Sequence, residues 1–367
     1  MQLATYRQFF NFKRLFLAYS IPNRSYNSHI LYSQHEDIDI PKVTISEFVF
    51  EKFDQYPNKI SLECAISGKK YTFDDVRKKS QNVAKNFMKL LKLTKGDVIA
   101  IILPNVPEFP ICMLGALQAG IVTTTINPFF TPGEIARQLN DSNAKVVITS
   151  ATTYASVYVA IKLTHKIIPA IVAKTKETET LPEGAINLHE FIDVESEIDI
   201  ERNIQADDLA VLPYSSGTTG LPKGVLLSHH NIVASLSQIT CKAVEHWITP
   251  TAIKDNVVPA IMPMFHIYGF STILFAQFRL LSRIVCAPKF TPELFLDILK
   301  KHKPNVLYIV PQIVSFMSDH PSMKSEFFDS ILSISSGGAA LGRLDEEKLL
   351  NKAQKDINIM QGEMITD

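Results

Sequence analysis

Hydrophobic residues in the first half of the chain alternate between helical spacing and short continuous runs. The segment TFDDVRKKSQNVAKNFMKLLKL begins at Thr72, a typical N-capping residue, and acidic side chains occupy its first turn. Apolar residues recur there at helical spacing, at Val76, Val83, Phe87 and Leu90. After Gly96, the run VIAIIL is typical of a strand buried on both faces, and NVPEFPICMLGALQAG returns to a helical pattern. We therefore predict an amphipathic helix, followed by a unit of strand, helix and strand that begins with VIAIIL.

The same rhythm recurs further along the chain. IARQLNDSN predicts a helix that leads into a strand at AKVVITS, and TPELFLDILKKHKPN predicts a helix that leads into a strand at VLYIVP. Alternation of this kind predicts parallel sheets covered by helices, which is an α/β fold.

A charged stretch divides the chain into two predicted units. KTKETETLPEG, around residues 174–184, is the best candidate for a surface loop between α/β units. We place the boundary between this stretch and Asp207. The prediction is a first α/β subdomain at 36–205 and a second at 206–367.

The first 35 residues differ from the rest of the chain in charge. They are rich in aromatic residues and contain no acidic residue, whereas basic side chains occur at Arg7, Lys13, Arg14 and Arg24. This composition resembles a mitochondrial presequence, and the alternative is a disordered or loosely docked tail. We expect a mitochondrial location, with the cytoplasm or the peroxisome as alternatives. The final residues, Ile-Thr-Asp, are not a peroxisomal Ser-Lys-Leu signal.

The overall composition is that of a folded protein without a charge bias. Of 367 residues, 46% are hydrophobic, and 37 basic side chains balance 37 acidic ones. This balance argues against a nucleic-acid-binding protein. Four scattered cysteines form no metal-ligand spacing: Cys64, Cys112, Cys241 and Cys286. The apolar segment 256–278 has no charged residue, but its two prolines, His266, Gly269 and Gln277 argue against a transmembrane span.

One polar loop carries the most informative chemistry. Residues 214–225 read YSSGTTGLPKGV and directly follow the apolar LAVLP. Small residues let backbone N–H groups approach phosphate oxygens, four hydroxyls add donors, and Lys223 adds a positive charge. The hydroxyls belong to Ser215, Ser216, Thr218 and Thr219. The loop is not a Walker A sequence, because Gly224 follows Lys223. It favours a polyanionic ligand, and the alternative is a flexible glycine-rich surface turn.

This twelve-residue string resembles the signature loop of the adenylate-forming superfamily, which includes acyl-CoA synthetases, 4-coumarate:CoA ligases, firefly luciferases and peptide-synthetase adenylation domains. PMFHIYGF, at Pro263–Phe270, resembles a second motif of the coumarate ligase and acyl-CoA synthetase branch. SSGGAALG, at Ser335–Gly342, resembles a third segment, with Ala340 in place of the usual proline. The resemblance implies two doubly wound α/β subdomains of the family's large domain, incomplete at the C-terminus.

The resemblance also implies a role for each matching residue. ATP contacts fall to Ser215, Ser216, Gly217, Thr218, Thr219, Gly220, Lys223, Gly337, Gly338, Ala339, Gln361 and Gly362. The acyl substrate is bordered by His266, Tyr268 and Gly338, and the CoA phosphates lie near Lys289. The implied catalytic residues are Lys223, His266 and Thr366, and the implied Mg²⁺ ligand is Asp367. Without the resemblance, a lone histidine and tyrosine are ordinary core residues, and a lone lysine is a solvated surface residue.

The last residues depart from the family's motif Gln-Gly-Tyr-Gly-Met-Thr-Glu. INIMQG supplies Gln361 and Gly362, and EMITD follows. Aligned without a gap, Glu363 falls on the aromatic position that stacks against adenine, whereas Thr366 and Asp367 keep a hydroxyl and a carboxylate. The alternative is that the true sequence diverges from the family after Gly362, by alternative splicing or a gene-model error, and that residues 363–367 match the motif only by chance. The family continues with a ribose-binding Asp, a hinge and a lid domain with a lysine, which this sequence does not contain.

Three functions fit these observations. The first is an acid–thiol ligase that uses ATP, Mg²⁺ and CoA to convert an aryl acid or a medium-chain or long-chain fatty acid into an acyl-adenylate and then an acyl-CoA. The second is a catalytically inactive form that binds nucleotide or partners. The third is a luciferase-like oxygenase, which PMFHIYGF disfavours because it resembles the ligase motif more closely. We expect the first function.

Overall fold

The structure is a computed structural model, and it describes residues 36–174, 178–200, 203–215, 220–242 and 256–362. From Ile38 onward the chain belongs to one compact unit. Residues 1–35, predicted to be a presequence or a tail, lie outside the described residues.

The helices of the described ranges are short to medium in length. The α-helices are α1 Ile45–Phe50, α2 Phe73–Lys89, α3 Glu108–Gln118, α4 Pro132–Asp141, α5 Tyr154–Leu163, α6 Leu188–Asp193, α7 His229–Ile239, α8 Ala276–Arg279, α9 Pro292–His302, α10 Pro311–Asp319 and α11 Arg343–Ala353. A π-helix at Gly269–Phe275 precedes α8, and 3₁₀ turns lie at Phe53–Gln55 and Ser325–Phe328.

The helix predicted after Thr72 is confirmed, with one difference at its end. The Thr72 hydroxyl accepts a hydrogen bond from the Asp75 backbone N–H at 3.1 Å, and the Asp75 carboxylate accepts one from the Thr72 N–H at 2.8 Å. Val76 and Phe87 are fully buried, as their spacing predicts. Leu90, expected on the same face, is 52% exposed. It is the C-cap residue, because the helix ends at Lys89.

A seven-stranded sheet forms the larger layer. In spatial order its strands are β11 Leu227–Ser228, β8 Leu209–Val211, β4 Val122–Thr125, β3 Val98–Ile102, β5 Val146–Ser150, β6 Ala170–Ala173 and β7 Ile186–Asn187. Every pair is parallel except that of β11 with β8. The predicted strand VIAIIL is therefore the centre of a parallel sheet, buried on both faces.

Two smaller sheets and a short hairpin complete the described strands. The four-stranded sheet has the order β12 Val257–Ala260, β13 Arg283–Cys286, β1 Ile60–Cys64 and β2 Lys70–Thr72. The three-stranded parallel sheet has the order β14 Val306–Ile309, β15 Ser333–Gly337 and β16 Asn358–Gly362. The hairpin pairs β9 Tyr214–Ser215 with β10 Lys223–Gly224. Helices and parallel sheets alternate along the chain, which confirms the α/β fold class.

The sheets draw strands from both sides of the boundary predicted at residues 205–206. β8 and β11 follow the boundary but belong to the sheet of β3 to β7, and β1 precedes it but pairs in parallel with β13. The subdomain limits 36–205 and 206–367 stay a prediction.

The apolar segment 256–278 does not form a long helix. It contains β12, a turn and the π-helix, joined directly to α8. Across the described part of the chain, no helix is both long and apolar enough to cross a membrane.

Candidate active site

The segments that the sequence singles out follow the carboxyl ends of strands. The polar loop at residues 214–225, here called the phosphate-type loop, follows β8. The motif at Pro263–Phe270, here called the histidine motif, follows β12, and Gly338 and Ala339 follow β15. β15 and β16 are parallel neighbours, so Gly337 and Gly362 end side by side. Ligands of open α/β sheets bind at this edge because the connecting loops gather there.

The base of the phosphate-type loop is a hairpin. Ser215 pairs with Lys223, and Gly224 pairs with Tyr214. A Cβ atom on Gly224 would lie 3.1 Å from Leu212 Cδ1 and 3.3 Å from Tyr214 Cζ, so the close crossing of the two strands favours glycine. The tip, residues 216–219, lies outside the described residues. Gly220 and Lys223 are exposed.

A half-buried phenol fixes this hairpin to the neighbouring helix. The Tyr214 hydroxyl donates a hydrogen bond to the Asp141 carboxylate at the end of α4. Burial, together with this carboxylate, raises the pKa of Tyr214 above its ordinary value. The Val225 N–H donates to the Pro213 carbonyl oxygen at 2.8 Å and closes the other side of the base. Together these bonds set the direction in which the loop leaves the sheet.

The imidazole of His266 is open to solvent at the edge of a tight turn. Its backbone N–H donates to the Pro263 carbonyl oxygen at 3.1 Å, and its Nδ1 accepts from the Tyr268 N–H at 3.3 Å. Partial burial lowers the pKa of His266. The ring is therefore neutral at pH 7, and because Nδ1 accepts, the proton sits on Nε2. His266 can offer one N–H to an anionic oxygen.

Two buried side chains hold the backbone on either side of this histidine. The Asn105 amide donates to the carbonyl oxygens of Ala260 at 2.9 Å and Met262 at 3.0 Å, and its Oδ1 accepts from the Met264 N–H at 2.8 Å. The Thr125 hydroxyl donates to the Phe265 carbonyl oxygen at 2.7 Å. The sequence gives no motif for these residues, although Asn105 lies two residues after the predicted strand VIAIIL and Thr125 is the last residue of β4. Their partners become evident only in the tertiary structure.

Position 269 in the histidine motif must be glycine for a steric reason. A Cβ atom on Gly269 would lie 2.1 Å from the Pro263 carbonyl oxygen and 2.6 Å from its carbonyl carbon. Real Cβ atoms do not approach backbone this closely, so any side chain would force the turn apart. Gly269 therefore keeps the turn closed and fixes where His266 and Tyr268 lie.

Tyr268 connects the turn at Pro263–Gly269, here called the histidine turn, to the three-stranded sheet. Its hydroxyl donates to the Ser335 carbonyl oxygen at 3.3 Å, and burial raises the pKa of Tyr268 to about 12. A Cβ atom on Gly337 would meet Tyr268 Cζ at 3.4 Å and the Gly362 carbonyl oxygen at 3.0 Å. The absence of a side chain at Gly337 thus lets the phenol ring and β16 approach β15.

The turn after β15 is held by the neighbouring strand. Gly338 has φ +82°, a conformation that glycine adopts without strain. The Gln361 side-chain oxygen accepts a hydrogen bond from the Leu341 N–H at 3.2 Å. Gln361 is therefore committed to shaping the segment that contains Gly338 and Ala339. Ala340, where the family has proline, leaves both of these features in place.

A cavity of about 530 Å³ lies between the hairpin, α7 and the histidine turn. Its walls include Thr125, Gln138, Ser215, Ser235, Phe265 and His266. Among the described residues that line it, none is Asp, Glu, Lys or Arg. The Gln138 amide donates to Thr124 Oγ1 at 2.9 Å and to the Thr125 carbonyl oxygen at 3.0 Å. The walls thus offer hydroxyl and amide groups among apolar side chains.

The structure brings the predicted residues together in two groups. Ser215 and His266 line the cavity, and Tyr268, Gly337, Gly362 and Gln361 meet around the ends of β15 and β16. Lys223 and Lys289 are exposed and do not line the cavity. Ser216, Gly217, Thr218, Thr219, Thr366 and Asp367 lie outside the described residues. The roles assigned to all these residues stay predictions.

Comparisons with known proteins place these segments in context. The sequence profile described as AMP-binding enzyme matches residues 49–362. 4-Coumarate--CoA ligase 1 of Arabidopsis thaliana is 33% identical over 346 residues, which make up 93% of this chain and 60% of that protein. The chain thus spans about three fifths of the length of this curated relative.

Solved structures share the fold. ATP-bound MatB of Rhodopseudomonas palustris superposes with a TM-score of 0.72 at 24% identity, over 87% of this chain and 59% of that one. The luciferase-like enzyme of the nonluminescent mealworm Zophobas morio superposes with a TM-score of 0.78 at 21% identity, over 92% of this chain and 76% of that one.

Proposed function

This chain belongs to the AMP-binding enzyme family, and we propose that it activates a carboxylic acid with ATP to form an acyl-adenylate, which CoA then converts to an acyl-CoA. One observation carries the proposal. Ser215, at the base of the phosphate-type loop, and His266, from a motif more than forty residues later, line the same cavity. A polyanion and an acyl group would therefore meet at one place.

The first step needs positioning and charge neutralisation rather than a covalent nucleophile. The carboxylate oxygen of the acid attacks the α-phosphorus of ATP, the bond to the bridging oxygen breaks, and pyrophosphate leaves. We assign the phosphates to Ser215–Gly220 and Lys223, and the nucleoside to Gly337–Ala339, Gln361 and Gly362. The ATP-bound state of the structural neighbour MatB supports this nucleotide.

His266 is suited to the anion that forms during adenylation. Its neutral ring carries a proton on Nε2, so it can donate to a carboxylate or phosphate oxygen without taking a proton itself. Tyr268, whose hydroxyl is bound to Ser335, would border the acyl group as a wall. Thr366 is the third proposed catalytic residue, by family position.

Mg²⁺ would fit this site as an ion held mainly by the nucleotide phosphates. The described cavity walls offer hydroxyl and amide oxygens and no carboxylate, and Mg²⁺ is commonly held by substrate phosphates with one or two carboxylates. Asp367 is the proposed protein ligand, by family position. When bound, the ion would neutralise phosphate charge.

The second step transfers the acyl group to CoA. The thiolate sulfur attacks the acyl carbon, a thioester forms, and AMP leaves with the electron pair of the broken bond. Lys289 is exposed just after β13, and an exposed ammonium can pair with the phosphates of CoA. We assign it this role, and Lys289→Ala should raise the KM for CoA while pyrophosphate exchange is unchanged.

The acid is either an aryl acid or a medium-chain or long-chain fatty acid. The largely apolar cavity of about 530 Å³ suits either class, because it has no cationic side chain for a second carboxylate among its described walls. The similarity to a 4-coumarate--CoA ligase supports the aryl class.

The decisive measurement is acid-dependent exchange of labelled pyrophosphate into ATP with a panel of aryl and fatty acids. We expect exchange with one class, a loss of at least about tenfold for Lys223→Ala and for His266→Ala, and normal exchange for the exposed control Lys300→Ala. A folded chain that binds ATP without exchange would favour the inactive, nucleotide-binding alternative. Light emission with a luciferin and oxygen would instead favour the luciferase-like reaction.

We also propose a mitochondrial location, on the composition of residues 1–35. A fusion of these residues to a fluorescent protein should co-localise with mitochondria, and cytoplasmic or peroxisomal fluorescence would overturn this proposal.

A further inference from the structure

Helix α5 and the loop after it expose a cluster of large apolar side chains, here called the α5 surface. It consists of Tyr158 at 45% exposure, Val159 at 47%, Leu163 at 50% and Ile167 at 100%. Only Val157 and Ala160 of this helix are buried. Single exposed apolar residues are common, but four within ten residues of chain form a patch that a solvated helix does not require.

The exposure of Ile167 is fixed by the loop around it. The Thr164 hydroxyl donates to the Ile161 carbonyl oxygen at 2.7 Å and accepts from the Lys166 N–H at 3.2 Å. The Lys166 ammonium donates to Asn143 Oδ1 at 3.1 Å, and Ile168 is buried. Between these anchors, Ile167 points into solvent. The loop holds an apolar tip outward.

The surroundings of the α5 surface are basic. From residue 142 to residue 169 the sequence contains no Asp or Glu, whereas lysines occur at Lys145, Lys162 and Lys166. The Lys162 ammonium lies 4.5 Å from the centroid of the Tyr158 ring. Acidic groups of neighbouring elements already have partners: Asp97 pairs with Lys145 at 2.5 Å, and on α4 Glu134 accepts from Thr131 and Asp141 accepts from Tyr214. The patch therefore combines apolar side chains with net positive charge, in a chain whose overall charge is zero.

A recess beside the loop places a further lysine, Lys92, near the α5 surface. It has a volume of about 410 Å³ and lies between residues 91–93 and 166–169, with Lys92, Lys145 and Lys166 in its walls. Both segments precede strands, β3 and β6, so they lie at the amino ends of the large sheet. The candidate active site lies at the carboxyl ends, so contact through this loop leaves that site accessible.

We propose that the α5 surface docks on an anionic lipid bilayer. Leucine and isoleucine would enter the acyl boundary, the tyrosine would sit at the headgroup level, and the lysines would pair with lipid phosphates. Charge complementarity selects this occupant, because an apolar protein partner or a second copy of this surface would leave the lysines opposed to apolar or like-charged groups. The proposal is independent of the function proposed above.

Flotation of the purified chain with lipid vesicles tests it. We expect binding to phosphatidylcholine vesicles that contain about a third phosphatidylserine, little binding to pure phosphatidylcholine, and weakening by added salt. The variant Leu163→Ser with Ile167→Ser should bind at least about tenfold more weakly, and so should Lys162→Gln with Lys166→Gln. Because these residues are exposed, the thermal midpoint should stay that of the unmodified chain.

Matched controls separate this surface from the basic segment 1–35, which remains intact in every variant. Ile66→Ser with Leu344→Ser, and Lys300→Gln with Lys324→Gln, alter equally exposed residues elsewhere and should bind like the unmodified chain. Failure to bind anionic vesicles, or equal binding by the α5 variants, would overturn the proposal. So would self-association in sedimentation that the α5 substitutions abolish, since the surface would then join copies of the chain.

Discussion

The two segments that meet at the cavity are held in very different ways. The histidine segment, residues 260–269, is fixed from three sides by Asn105, Thr125 and the closed turn at Gly269. The β9–β10 hairpin has a two-residue ladder and the Tyr214–Asp141 bond. Leu221 within it is 66% exposed, and Leu226, just after it, is 68% exposed. Under the proposed function His266 would face the reacting acid and benefit from rigid placement, whereas the phosphates of ATP would be recognised by many equivalent donors of the hairpin loop. Substitutions in the first segment should therefore cost more than those in the second.

The largest effect is expected for Gly269→Ala. The added methyl group would overlap the Pro263 carbonyl, so the turn must open, and we expect a loss of about 4 kcal/mol in the free energy of unfolding. Urea denaturation measures this loss. Gly133→Ala is the matched control, because no atom lies within 4 Å of a Cβ atom there. A normal stability for Gly269→Ala would contradict the steric argument.

The next largest effect is a loss of stability at acid pH, caused by His229 at the start of α7. This helix forms one wall of the cavity. His229 is buried, its Nδ1 accepts from the Ile45 N–H at 3.1 Å, and burial lowers the pKa of His229 to about 4, against opposing effects of Asp208 and Glu47. The unfolded histidine binds a proton near pH 6.5. Stability is therefore complete above about pH 6.5 and should fall by about 3 kcal/mol as the pH drops toward 4.

Urea denaturation across this pH range measures the loss for His229. The variant His229→Gln can still accept the Ile45 N–H but does not titrate, so its stability should vary less over the same range. An unchanged pH dependence in His229→Gln would assign the acid sensitivity to other groups.

Asn105→Ala tests the support of the histidine segment directly. It removes three hydrogen bonds and leaves buried backbone groups without their partner, so we expect a loss of about 2 kcal/mol in the free energy of unfolding. Asn351→Ala, at an exposed helical position, should lose little. Equal losses in the two variants would show that the three bonds do not hold the segment.

The smallest effect on stability is expected for Tyr214→Phe at the hairpin. It removes one hydrogen bond to a partly exposed carboxylate, which should cost about 1 kcal/mol or less. If the hairpin binds phosphate, the KM for ATP should rise by about fivefold in pyrophosphate exchange. Tyr56→Phe, at an exposed position, should change neither quantity. If Tyr214→Phe lost more stability than Asn105→Ala, the hairpin and not the histidine segment would be the more firmly held of the two.

Local patterns in the sequence predicted much of the fold correctly. The capped helix after Thr72, the buried strand VIAIIL and the strands at AKVVITS and VLYIVP each follow from neighbouring residues, because period and capping are properties of a short segment. The prediction that Leu90 lies on the buried face of this helix was wrong for the same reason. Its spacing continues the apolar face, but the helix ends one residue earlier.

The candidate site was only partly predictable. The motifs identified Ser215 and His266, which line one cavity, and Gly337, which lies against Tyr268. No local pattern around Asn105 or Thr125 predicts that they bind backbone groups more than a hundred residues away. Such contacts depend on which loops the sheet brings to one edge. The α5 surface could not be predicted from the sequence either, because the exposure of its side chains depends on which elements pack against the helix.

The sequence alone determined several helices and strands, the polar loop at residues 214–225 and the family resemblance, because these depend on the order of side chains along short stretches. Only the tertiary structure decided that β1 joins β13, that the hairpin and the histidine turn share a cavity, and that Ile167 stays outside the core. The physical reason is that hydrogen bonds and burial between distant segments exist only once the chain has closed on itself.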